Sequence, residues 1–161
     1  SGCCGNSTII SSRRPHVNFR LISIAAFAAA VAALGILVLT GAILAGGPVG
    51  VIVQLFAVGL MVWARMTFGR RSFHAASNPT EGGLVTTGPY RYIRHPIYAS
   101  VLYFVWAAIP YHWSIFNAGL AIFVTAALFV RMISEERLIP GKYPEYPHYA
   151  AAVKRIIPFV L

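Results

Sequence analysis

The stretch LISIAAFAAAVAALGILVLTGAILA, residues 21–45, holds no charged side chain in 25 positions. A helix needs about 20 residues to cross the hydrocarbon core of a bilayer. The stretch therefore predicts a tilted membrane span, longer than the apolar core of a cleaved signal peptide. Downstream the theme repeats. Gly46-Gly47-Pro48 reads as a tight turn, after which Val49 to Ala64 is apolar again, broken by Gln54 and ended by Arg65. A third, shorter run from Ile97 to Ile109 opens at the His95-Pro96 corner, and Pro110-Tyr111-His112 forms the next turn. Trp113 to Val130 is a fourth run of 18 residues, about 27 Å as a helix. The predicted fold is all-α: a polytopic membrane bundle of about four transmembrane helices arranged as two hairpins. Residues 1–20 are expected to form a flexible tail and residues 21–161 a single integral-membrane domain.

Composition supports this. Of 161 residues, 58% are hydrophobic and 11% are charged, whereas a soluble domain carries roughly 25% charge to wet its surface. A soluble globule and a disordered chain are both excluded. The net charge of +9 would suggest nucleic acid in a soluble protein, but its placement gives another reason. Arg13, Arg14 and Arg20 precede the first span. Arg65, Arg70, Arg71, Arg91 and Arg94 lie between the second and third, and Arg131, Arg137, Lys142, Lys154 and Arg155 follow the fourth. Neither short turn carries Lys or Arg. All the positive charge thus falls on one side, which puts both termini and the long loop in the cytoplasm by the positive-inside rule. No nucleic-acid partner is needed to explain it.

Cys3 and Cys4 are adjacent and give neither a disulfide frame nor zinc spacing. A juxtamembrane pair of this kind is open to palmitoylation. The plainer reading is a loose Gly/Ser-rich tail. His16, His74, His95, His112 and His148 show no paired metal spacing, so no metal is expected. Neither a nucleophile elbow, a P-loop nor a dinucleotide fingerprint is present. The small residues of the first span (Ala25 to Ala33, Gly35) favour close helix packing.

Chemical variety concentrates on the basic side. Residues 81–98, EGGLVTTGPYRYIRHPIY, combine glycines that permit close backbone approach with Pro96 placed to start a helix. A helix N-terminus there offers N–H groups and a positive dipole end to an anion, with His95, Tyr90, Tyr92 and Tyr98 around it. An interfacial aromatic belt would use the same residue types. Past the fourth span, Arg131 and Glu135 are four apart and share a helix face, with Glu136 adjacent. A carboxylate there suits a cationic ligand such as a sulfonium, and a guanidinium suits a carboxylate; a plain ion pair is the structural alternative. The Tyr- and Pro-rich stretch from Tyr143 to Pro158 reads as a turn followed by an amphipathic segment with Lys154 and Arg155 facing headgroups.

Together, Gly88-Pro89-Tyr90-Arg91-Tyr92-Ile93-Arg94-His95-Pro96-Ile97-Tyr98, a span hairpin, Glu135-Glu136, and a Tyr-rich tail ending in Arg155 and Pro158 resemble the isoprenylcysteine carboxyl methyltransferase family. That group is related to the phospholipid methyltransferases. The resemblance covers roughly residues 49–161. It implies an S-adenosylmethionine pocket, with S-adenosylhomocysteine as product. Leu84, Val85, Tyr90, His95, Pro96 and Tyr98 would line the cofactor, and Glu135 would hold it. Arg131 would position the acceptor carboxylate, that of an isoprenylcysteine-like or other lipidic methyl acceptor. Departures are Ser100, where the family often has Gly, and a shortened link from Glu136 to Gly141. The resemblance is to a minimal prokaryotic core and implies a multi-pass plasma-membrane protein. Two other functions are consistent with the residues: methylation of a phospholipid amine, and a non-catalytic membrane scaffold or sensor.

Overall fold

The computed structural model describes residues 19–69, 84–139 and 143–158. The Cys3–Cys4 pair, the glycines Gly82 and Gly83, Lys142 and most of the expected N-terminal tail lie outside them. Among the described residues every regular element is helical: α1 (Phe19–Leu39), α2 (Pro48–Phe68), a 3-10 turn (Gly88–Arg91), α3 (Pro96–Ala108), α4 (Ile115–Leu138) and α5 (Tyr146–Ala152). Outside the helices, a β-bridge joins Ile93 to Lys154. Three helices among the described residues are long and apolar enough to cross a membrane, at Leu21–Leu39, Pro48–Phe68 and Ile115–Arg137. The third expected span, α3, has 13 residues, about 20 Å of helix, and is the short member of the bundle.

The chain order suggested two hairpins, α1 with α2 and α3 with α4. The principal packing pairs are instead α1 with α4 and α2 with α3, with α3 also touching α4. Side-chain spacing explains the pairing. On α1, Ser23, Ala30, Ala33 and Leu37 are buried, a stripe at helical period. On α4 the matching stripe is Ala121, Val124, Leu128 and Arg131. Small residues let the two backbones approach closely. The pair is antiparallel, so Ser23 meets Arg131 at the basic end. On α2, Gly50, Gln54, Ala57, Leu60 and Ala64 form the buried stripe that faces α3.

The first span also ends sooner than its hydropathy suggested. α1 stops at Leu39, and Gly41 has φ +69°, a left-handed conformation that ends helices. The connection to α2 is then held by Gln54 from within the bundle. Its Oε1 accepts from the Ala45 N–H (3.0 Å), and its Nε2 donates to the carbonyls of Ile43 (2.8 Å) and Phe104 (3.1 Å). The polar interruption of the second apolar run is therefore a bracket across three chain segments. Gln54→Leu should cost about 1–3 kcal/mol by stranding the backbone groups it serves. The check is thermal unfolding in detergent, where the midpoint should fall by several degrees.

Candidate functional site

The basic end of the bundle is built around the 3-10 turn. Gly88 has φ +59°, and a Cβ there would lie 2.5 Å from the Thr67 hydroxyl. Only glycine lets the turn sit this close against the end of α2. Pro89 and Tyr90 are buried by it. The Tyr90 ring packs on Phe68 at 5.6 Å, and its carbonyl accepts from the Tyr149 hydroxyl. The chain then runs extended through Ile93, Arg94 and His95, alongside the C-terminal tail. Arg94 N–H donates to the Lys154 carbonyl (2.7 Å) and His95 N–H to that of Arg155 (3.0 Å). Farther along, the Tyr103 hydroxyl donates to the Ile156 carbonyl at 2.9 Å. Pro96 then occupies the first position of α3, where its missing N–H costs nothing.

α4 continues past its apolar stretch for 24 residues in all and delivers two adjacent glutamates to this end. Consecutive helical residues point about 100° apart, and the two carboxylates have separate partners. Glu135 Oε1 accepts from the Tyr98 hydroxyl at 2.6 Å and lies 3.1 Å from Arg131 Nε. Arg131 Nε also donates to the Tyr98 oxygen at 2.6 Å. The result is a compact triad of guanidinium, phenol and carboxylate, with Arg131 only 4% exposed. Its Nη1 donates to the Ser23 carbonyl of α1 (3.3 Å), and its Cζ stands 4.5 Å from the Phe27 ring centroid.

Glu136 forms a different cluster. Its carboxylate takes Arg94 Nη1 at 2.9 Å, His95 Nε2 at 3.1 Å and Arg155 through Nε and Nη2, the latter at 2.9 Å. Arg94 and His95 belong to the segment before α3, Arg155 to the tail. Glu136 therefore ties α4 to two other parts of the chain. The two clusters adjoin where the His95 and Tyr98 rings stack at 5.7 Å.

Of the residues singled out from sequence, His95, Tyr98, Arg131 and Glu135 converge here, with Pro96 as the hinge of α3. Tyr90 is buried behind them; Arg65 and Glu135 both act on its hydroxyl electrostatically. Leu84 and Val85 lie half-buried on the approach to the 3-10 turn. Burial raises the Tyr90 and Tyr146 phenols and, with help from Tyr146, pushes Tyr149 up to about 12. Arg155, expected at the headgroup face, is also bound by Glu136 at 2.9 Å and keeps 43% of its side chain exposed. Sequence reading passed over Arg94 and the α1 contacts of Arg131. It could have flagged Arg94 from the excess of cations around two lone carboxylates. On the α2–α3 side, Phe56, Trp63, Tyr92, Tyr103 and Pro158 line an open apolar groove of about 390 Å³.

A family model described as Phospholipid methyltransferase matches residues 45–145. Neither the curated proteins nor the solved structures gave a match. The matched segment covers well over half of the chain and holds α2, the 3-10 turn, α3 and α4 with both glutamates. By that match and its long apolar helices, this chain belongs to the phospholipid methyltransferase family and is an integral-membrane methyltransferase.

Proposed function

We propose that this protein methylates the carboxylate of an isoprenylcysteine-like lipidic acceptor, using S-adenosylmethionine, on the cytoplasmic face of the membrane. The observation that carries this reading is the buried Arg131 guanidinium set beside Glu135 and Tyr98. A guanidinium fork matches a carboxylate and repels an ammonium.

The donor set fits the cofactor. Glu135 keeps 18% of its side chain exposed, leaving a carboxylate edge for a cationic group, and the stacked His95 and Tyr98 rings offer apolar faces. Tyr90, Leu84, Val85 and Pro96 extend that wall. When bound, S-adenosylmethionine supplies a methyl group that bonds to the acceptor oxygen as the carbon–sulfur bond breaks, its electron pair staying on sulfur in S-adenosylhomocysteine. A carboxylate is already ionised near neutral pH, so this chain need supply no general base. Arg131 orients the acceptor. Tyr98 bridges Arg131 and Glu135 and so fixes the spacing of the two sites, and catalysis then rests on positioning and partial desolvation. The apolar groove beside Pro89 and Ile93 supports a lipidic acceptor arriving laterally from the bilayer. The one-sided basic charge supports cytoplasmic termini and a cytoplasmic site.

The family name favours a second reading, methylation of a phospholipid amine. The two differ in product and in pH dependence. Protein in lipid bilayers, given methyl-labelled S-adenosylmethionine and a small farnesylated cysteine carboxylate, should yield base-labile label, because a methyl ester releases methanol in alkali. Its rate should be flat between about pH 7.5 and 9, where a carboxylate is fully ionised. An amine must lose its proton before it attacks, so N-methylation would rise up to tenfold per pH unit below the amine pKa. The Tyr90, Tyr146 and Tyr149 phenols are all shifted upward and stay protonated across that window. A steep rise would therefore report the acceptor and overturn the carboxylate reading.

A further inference from the structure

Helix α1 lies outside the matched residues 45–145, yet it supplies two of the contacts on Arg131. The Arg131 guanidinium is held both by hydrogen bonds and by contact with aromatic rings. Its Nε is held by Tyr98 and Glu135, and its Nη1 reaches the Ser23 carbonyl. The Arg131 Cζ also lies over the Phe27 ring, 4.5 Å from its centroid, and 5.9 Å from that of Tyr98. Phe27 is 37% exposed and belongs to neither of the bundle's two buried clusters.

We infer that Phe27 is a positioning residue: it sets the tilt of the Arg131 plane, and through it the direction from which an acceptor carboxylate is held. Helix α1 is thus part of the acceptor site. The inference rests on the carboxylate reading above for its catalytic consequence, but not for its geometry.

The test uses the full chain in phosphatidylcholine nanodiscs with Phe27→Leu, which stays apolar and lipid-compatible, and Phe27→Trp, which keeps an aromatic face. With the farnesylated cysteine carboxylate, Phe27→Leu should lower kcat/KM by roughly 3- to 30-fold, the range of a partly desolvated cation–π contact. Cofactor affinity should be unchanged, and Phe27→Trp should restore most of the loss. In an Arg131→Lys background, Phe27→Leu should add little, since the plane it orients is gone. Equal losses in both backgrounds, or no rescue by Trp, would overturn the inference. Should the wild type form no ester at all, the carboxylate reading fails while the geometry is still decided. In arginine-labelled protein, the Arg131 Nε–H resonance should lose its ring-current shift in Phe27→Leu. An unmoved resonance rejects the positioning role whatever the acceptor.

Discussion

Glu136→Ala should detach the C-terminal strap while leaving the membrane bundle intact. Glu136 is the anion on which Arg94, His95 and Arg155 converge. The side chains of Arg94 and His95 are 11% and 8% exposed, so removing their counter-charge leaves cations or donors buried without a partner. Truncating one member of such a buried pair costs roughly 3–5 kcal/mol. Arg155, at 43% exposure, adds little. The lost energy falls first on the docking of Arg94 and His95 against α4, and it reaches residues 146–158 because that segment carries the tail through its backbone bonds to Lys154 and Arg155, the tail's other ties being the Tyr103 and Tyr149 hydroxyls. Alanine is the best helix former, so α4 itself is spared. Hydrogen exchange in nanodiscs should show the tail amides opening at least about a hundredfold more often. Glu135→Ala, one residue away, should leave that protection nearly unchanged, because Glu135 bonds only inside the Tyr98–Arg131 triad among the contacts described. If both variants open the tail alike, the division of labour between the two glutamates is wrong.

That division shows what a sequence can and cannot convey here. The spans were legible because hydropathy and charge placement are one-dimensional properties, and the Pro96 helix start and the Arg131–Glu135 pair follow from local rules of position and spacing. Helix partnership was not legible. Short turns suggested hairpins, but the small-residue stripe of α1 fits the Ala121–Val124–Leu128 stripe of α4, and that complementarity exists only once both helices are placed. Likewise, nothing local assigns Lys154 to pair beside Ile93. Without that long-range register, Arg155 reads as a headgroup cation, and nothing local separates the partners of Glu136 from those of Glu135. Gly41 ended α1 early where hydropathy alone ran on to Ala45.

Arg131→Ala carries the largest functional consequence. In the carboxylate reading, this residue holds the charged end of the acceptor, from a site 4% exposed where water competes little. Loss of a buried, hydrogen-bonded charge contact costs roughly 2–5 kcal/mol, so ester formation should fall about 30- to several-thousandfold. Cofactor binding should persist or tighten, because Glu135 loses the cation 3.1 Å away and presents more of its charge to a sulfonium. Arg131→Lys keeps the charge but not the planar fork and should recover only part of the rate. The same variant separates the two acceptors by sign. An ammonium headgroup is repelled by Arg131 and drawn by Glu135, so removing the guanidinium should leave N-methylation unchanged or raise it. Base-labile label that collapses in Arg131→Ala, with cofactor affinity retained, ties the guanidinium to a carboxylate acceptor. Base-stable label that survives or grows makes Arg131 a partner of Glu135 alone and assigns the chemistry to a phospholipid amine.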